Sequence, residues 1–280
     1  SVYLHVSHQL EPVALEQAVQ QLVEHHDLLR SKFLTVADNV DISQAIIQNE
    51  SHFKIVEFHD LSTNPAEDTD ALIRDIAQHA QASLGLQTGD LIRAVLFKMP
   101  AGQTNRLLLI AHHLVIDGIS WRILLEDLES LLVQHSRSQT LQLKPKTSSF
   151  AQWTTALSQY ADSQKALKDL TYWQTQVNQR VPSLPVDFAA DPSCNTFDST
   201  VHLESSLDAE MTLSLLTEVP KVYRTHINDI LMTALVTALG RWTNSQEFEI
   251  SLEGHGREDL FDDLDMTRTI GWFTSLFPVR

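Results

Sequence analysis

Apolar residues alternate with polar ones over Ser1–Gln9, where Val2, Leu4 and Val6 share one face, and this predicts a half-buried strand. The period then lengthens. Pro12 opens a helix, and Leu15, Ala18, Val19, Leu22, Val23 and His26 fall on one helical face. Short strands are predicted near Ser31–Val36 and at Phe53–His59. A helix follows over Asp70–Leu84, with Gly85 just past its end. Leu91–Met99 and Asn105–His113 read as a hairpin joined by Pro100-Ala101-Gly102. Ile119–Gln134 is amphipathic, with Ile123, Leu124, Leu128, Leu131 and Leu132 on its apolar face, and Ser149–Val177 reads as one or two helices.

Beyond that point the pattern breaks. Asn178–Ser199 holds Pro182, Pro185 and Pro192 among Ser, Asp and Asn, which marks a linker. The organisation expected is therefore residues 1–177 as a first lobe, 178–199 as linker and 200–280 as a second, partial lobe. In the second lobe, Thr200–Leu207 and Glu247–Glu253 read as strands and Asp208–Tyr223 as a helix. His226–Trp242 reads as an apolar helix that must be buried, and Ile270–Val279 as a strand or a buried crossover. Helices and strands alternate in both halves, which favours α/β layers.

Composition narrows the function classes. With 36 acidic against 20 basic residues in 280, the formal charge is −16, opposite to the footprint of a nucleic-acid protein or of one drawn to anionic lipid. A hydrophobic content of 43% supports a packed core rather than a disordered chain. The one cysteine, Cys194, excludes an intramolecular disulfide and a multi-cysteine zinc site. No apolar run is long enough to span a bilayer, and the first residues lack the charged start of a signal peptide. A piece of a longer cytoplasmic protein is expected.

Three segments could carry chemistry. In Ala111–Trp121, AHHLVIDGISW, an aliphatic strand delivers His112 and His113 to its end. Neighbouring strand residues face opposite ways, so one histidine can face a cavity while the other is held behind. Asp117 and Gly118 follow at a strand-to-helix turn. Adjacent strand histidines cannot both reach one ion without distortion, which argues against a metal. In Ser251–Asp259, SLEGHGRED, glycines flank His255, leaving Glu253 free to face a cavity and Arg257 to pair with a carboxylate, although the same residues also suit a solvated turn. In Arg268–Arg280, Trp272, Phe273 and Phe277 suit packing, and local reasoning goes no further.

Together these motifs resemble the condensation-domain superfamily of nonribosomal peptide synthetases, whose members share the chloramphenicol acetyltransferase fold. HHLVIDG matches its HHxxxDG motif. DGISWRILLEDL, EGHGRED and RTIGWFTSLFPV are similar to the epimerization domains in particular, across essentially the whole chain. The opening PIQxWF-type motif and the later glycine-rich and FNYLG-like motifs are absent. The resemblance implies two chloramphenicol acetyltransferase-like lobes forming a V, the second incomplete here. It implies epimerization at the α-carbon of an aminoacyl or peptidyl thioester carried on the phosphopantetheine of a peptidyl carrier domain. His113 and Glu253 would be acid and base. Asp117 and Arg257 would pair across the lobes, His112 and Gly118 would support the loop, and Trp272 and Phe273 would line the cleft or bridge the lobes. The chain itself would bind neither cofactor nor metal, and its partners would be carrier and neighbouring synthetase domains, not nucleic acid or membrane. Two other readings stay open: a condensation-type acyltransferase, and a non-catalytic module that docks a carrier.

Overall fold

The computed structural model describes residues 1–7, 10–35, 42–48, 55–178, 181–189, 194, 196 and 199–280. In chain order the first half forms β1 (Val2–Val6), α1 (Pro12–His25), β2 (Ser31–Thr35), β3 (Ile42–Ile47), β4 (Val56–Asp60), α2 (Ala66–Ala82), β5 (Ile92–Lys98), β6 (Asn105–Ala111) and α3 (Gly118–Ser136). Then come α4 (Phe150–Ala161), α5 (Gln164–Asn178), α6 (Ala209–Tyr223), α7 (Ile227–Thr243), β7 (Ile250–Gly254) and β8 (Ser275–Val279).

Four strands form one mixed sheet in the order β1-β6-β5-β4. The β5–β6 pair is the expected hairpin, with Ile92 opposite Ala111 and Leu96 opposite Leu107. On its other side β6 pairs antiparallel with β1, Leu4 facing Leu107. On β5, β4 adds in parallel, Val56 facing Ala94. Interior position explains why β6 carries Leu107-Leu108-Leu109-Ile110 without alternation: both of its faces are covered. Leu107 and Leu109 join Leu15, Val19, Leu22, Leu124, Leu128 and Leu131 of α1 and α3, all buried. Leu108 and Ile110 point the other way, to Ile73 and Ala80 of α2 and to Val95 and Phe97. The helical stripe foreseen on α1 is the buried face, and Pro12 stands in its first turn. Chain contacts divide the chain into one unit of Ser1–Leu167 with Glu253–Ser275 and another of Lys168–Leu252 with Leu276–Arg280.

Several expectations change. The helix foreseen at Asp70 starts earlier, at Ala66. The strand Ser31–Thr35 pairs with Ile42–Ile47, a strand the pattern did not signal. Of the strands foreseen at Ser31–Val36 and Phe53–His59, residues 36, 53 and 54 lie outside the described set, as do residues 8 and 9 and much of 178–199. Residues 200–207 form no strand: Val201 and Leu203 are 82% and 95% exposed, because alternation without a partner ladder makes no sheet. In the second unit α6 is capped by Asp208, which accepts from the Met211 N–H at 2.7 Å, and α7 by Asp229, which accepts from the His226 N–H at 2.8 Å. The expectation that His226–Trp242 is buried fails. No residue of α7 is buried, and Leu231, Leu235 and Trp242 all stand exposed. The apolar composition of α7 reports a face that favours cover; α6 packs against it and Met232, Val236 and Leu239 are only half-buried.

Segment Glu253–Ser275, expected in the second lobe, belongs to the first unit. The reason is visible in its bonds. The Ser148 N–H donates to the Asp265 carbonyl at 2.9 Å, and Ser120 Oγ donates to the Gly271 carbonyl at 2.9 Å. Trp153, Met266 and Phe273 form a small buried cluster of their own.

Candidate active site

The strand β6 stops at Ala111, so His112 and His113 are not strand neighbours as the spacing suggested. A single tight helical turn over His113–Val115 follows, and it separates the two rings by a different route. The His112 backbone stays tied to the sheet, its N–H donating to the Leu91 carbonyl at 2.8 Å. Its Nδ1 accepts from the Leu114 N–H at 3.2 Å, which requires a neutral ring with the proton on Nε2. Burial, and then the like charge of His113, hold the His112 imidazole below its ordinary pKa. His113 is exposed, and its ring meets the indole of Trp272 edge-on, centroids 5.6 Å apart. Trp272 is itself half open to solvent.

Asp117 caps α3: its carboxylate accepts from the Ser120 N–H at 2.7 Å. The same carboxylate receives Arg257 Nη2 at 3.2 and 3.4 Å and the Phe273 N–H at 3.2 Å. Both side chains of this ion pair are nearly sealed from water, at 4% and 8% exposed. Arg257 also donates to the carbonyls of Met266 and Thr269 and to Ser120 Oγ, at 2.9, 2.8 and 2.9 Å. Its guanidinium lies 4.0 Å from the centre of the Phe273 ring. Burial pulls the guanidinium below its ordinary pKa, and the Asp117 carboxylate opposes that pull. The foreseen Asp117–Arg257 pair is thus present, within the first unit rather than across two lobes.

Two glycines let the segment approach this closely. Gly256 sits at φ +66°, and a Cβ there would stand 1.6 Å from the Phe273 carbonyl oxygen. At Gly271 a Cβ would meet the Phe150 ring at 2.5 Å. Gly118, expected to support the loop, has open space around it.

Glu253 is exposed, and its carboxylate makes no hydrogen bond or ion pair among the described residues. It lines an open recess with Asp117, Gly118, Ile119, Arg122, Gly254, His255 and Thr274. Phe273, foreseen beside Trp272 in a cleft, instead packs its ring on Phe150 and Trp153 and is buried. The two neighbouring rings part ways, the Trp272 indole half open to solvent and the Phe273 phenyl buried. Among the described residues no three His, Cys, Asp or Glu side chains gather to hold a metal ion, and no helix is long and apolar enough to cross a membrane.

Sequence reading missed a second buried network. His26, foreseen only as packing, donates from Nε2 to Asp127 Oδ2 at 3.0 Å. Arg268 closes on the other oxygen of Asp127 and on Glu126, joining the end of α1 to α3 and to the loop before Gly271. A charged residue at a helical core position, Asp127 amid Leu124, Leu128 and Leu131, was its available signal.

A mixed α/β sheet with a His-His-x-x-x-Asp-Gly turn, locked by a buried arginine, defines a recognisable class. The chain belongs to the condensation domain family, which it matches over residues 1–280. It is 42% identical over 281 residues to one of the proteins of the linear gramicidin synthase of Brevibacillus parabrevis, covering 100% of this chain and 5% of that protein. It is 38% identical over 280 residues to surfactin synthase subunit 2 of Bacillus subtilis (strain 168), covering 100% of this chain and 8% of that protein. Among solved structures, the epimerization domain from the third module of tyrocidine synthetase B superposes with a TM-score of 0.88 at 36% identity, covering 99% of this chain and 62% of that one. VibH, a condensation enzyme of nonribosomal peptide synthesis, shares the fold at TM-score 0.71 and 19% identity, over 99% of this chain and 60% of that one. The chain therefore spans a small fraction of these synthetase proteins and less than two-thirds of either structure.

Proposed function

We propose that this chain is the histidine-bearing part of an epimerization domain, which inverts the α-carbon of an aminoacyl or peptidyl thioester held on the phosphopantetheine of a carrier domain. The observation that carries the reading is the Asp117–Arg257 pair. His113 stands four residues before Asp117 and Glu253 four residues before Arg257. One buried lock thus anchors the two segments that bear the exposed imidazole and the exposed carboxylate. The 36% identity to the tyrocidine epimerization domain supports the same reading.

The chemistry asks for two groups that exchange protons near neutral pH. A base takes the α-proton; the C–H electron pair becomes the new C=C bond, and the thioester C=O pair moves onto oxygen. An acid then returns a proton to the other face of the carbon. The thioester carbonyl is the electron sink, so the step needs no cofactor held by this chain. Imidazole is suited to either role, and carboxylate and imidazole exchange roles between the two directions of the reaction. His112, held neutral behind the loop, and Asp117 keep His113 in place. Trp272 backs its ring.

The test uses the full-length protein and a carrier loaded with an α-deuterated L-aminoacyl thioester. His113→Ala and Glu253→Gln should each slow loss of deuterium to solvent by about 10²-fold or more, within the range of a positioned acid or base, with the thermal midpoint unchanged. Retained washout in both variants would remove the epimerase reading. A second reading, acyl transfer, draws on the shared fold of VibH. It predicts peptide-bond formation with an acceptor carrier and no washout in the wild type.

A further inference from the structure

Of the three arginines around this site, two are consumed by carboxylates: Arg257 by Asp117, and Arg268 by Asp127 and Glu126. Arg122 is different. It is exposed, and its guanidinium makes no hydrogen bond or ion pair among the described residues. An exposed arginine is ordinarily a solvated surface charge. Its placement argues otherwise. Gly118, Ile119 and Arg122 share one face of the first turns of α3, and that face forms a wall of the recess. Glu253, Gly254, His255 and Thr274 line the same recess. His255 is partly engaged, its Nδ1 accepting the Arg257 N–H at 3.0 Å. The recess is therefore lined by two carboxylates and the cation Arg122: Asp117 is already paired with Arg257, while the Glu253 carboxylate and the Arg122 guanidinium have no side-chain partner among the described residues.

Proton removal from the α-carbon of a thioester develops negative charge on the carbonyl oxygen. Glu253 and His113 exchange protons with carbon and do not neutralise that oxygen. A guanidinium can: it cannot lose its proton at working pH, and it offers parallel N–H donors to an oxyanion. Donors aimed at developing charge are commonly the largest single contribution to a rate. We propose that Arg122 receives the enolate oxygen of the acyl thioester while the α-proton is off the carbon. This deepens the epimerase reading and rests on it. The proton that leaves carbon goes to the base and one returns from the acid, so Arg122 takes part in no proton transfer and nothing is oxidised or reduced.

The experiment compares Arg122→Met, Arg122→Lys and Arg122→Ala with Glu253→Gln and His113→Ala in the full-length protein. The substrate is the same α-deuterated L-aminoacyl thioester on a carrier. Arg122→Met should lower kcat for washout by about 10²–10³-fold, the loss typical of one oxyanion donor, with a smaller change in KM. Arg122→Lys should retain an intermediate rate. Added guanidinium ion should restore washout in Arg122→Ala but not in Glu253→Gln, a rescue that a structural role would not give. An unchanged kcat in Arg122→Met beside inactive Glu253→Gln would overturn the role of Arg122 and leave the epimerase reading standing. A loss in Arg122→Ala that guanidinium does not restore would overturn it too. Full washout in both Glu253→Gln and His113→Ala would overturn the epimerase reading, and the inference with it.

Discussion

Replacing Asp117 with alanine removes one carboxylate that serves three partners: the Ser120 N–H, the Phe273 N–H and the Arg257 guanidinium. Loss of a helix cap costs about 1 kcal/mol. Leaving a guanidinium buried without its anion costs about 3–5 kcal/mol. A buried N–H left without an acceptor adds about 1–3 kcal/mol. These terms share one side chain and do not add fully, so the expected loss is about 4–5 kcal/mol. That is a large part of the ~5–15 kcal/mol that holds a domain folded. Asn at 117 still caps the helix and accepts from one N–H, so it should lose about half as much. Arg257→Met removes the charge that Asp117 neutralises. The double variant Asp117→Ala/Arg257→Met leaves no orphan cation, and should lie at least about 1 kcal/mol above the sum of the singles. The assay is urea unfolding followed by tryptophan fluorescence, with Trp121 near the network as a reporter. An Asp117→Ala variant within about 1 kcal/mol of wild type, or singles that simply add, would refute the claim that this buried pair holds the site together.

Gly256→Ala should fail to fold in the first unit, since the new methyl would meet the Phe273 carbonyl in a left-handed backbone conformation; soluble protein with wild-type amide protection in α3 would contradict this. His112 gives a pH signature. Burial and the neighbouring His113 lower its folded-state pKa, so protonation favours the unfolded chain. The stability it contributes is complete above its unfolded pKa of about 6.5 and is lost as pH falls through the lower folded value. The unfolding midpoint of His112→Asn should therefore fall less steeply than that of wild type between pH 7 and pH 5, both as approximate bounds. Parallel curves would contradict it.

Much of the first unit was legible because its elements obey simple periods. Leu15, Ala18, Val19, Leu22 and Val23 mark a helical face, and that face is buried against α3 and the sheet. The unbroken Leu107–Ile110 run told of a strand covered on both sides. Of the candidate site, the Asp117–Arg257 pair was legible, because a turn aspartate and an arginine stand out in the sequence and the structure brings them together. What escaped was tertiary. The glycines flanking His255, 254 and 256, suggested a turn, but only folding shows Ser120, Asp117 and Arg257 drawing the segment 253–275 onto the first unit. Nothing in a period of two or 3.6 encodes which distant segment a buried aspartate will hold. The exposure of α7 has the same root: its apolar residues state a preference for burial, and the partner that meets it is not written in that stretch. Arg122 reads in the sequence as an ordinary polar position of an amphipathic helix, and only the structure places it in one recess with Glu253.

The most direct measurement loads a carrier with an L-aminoacyl thioester, incubates it with the full-length protein in D₂O, and reads chirality and α-deuteration of the released amino acid together. Inversion through a planar enolate predicts a mixture of L and D forms, with deuterium on the α-carbon of every D molecule. Recovery of unlabelled L amino acid alone would contradict it.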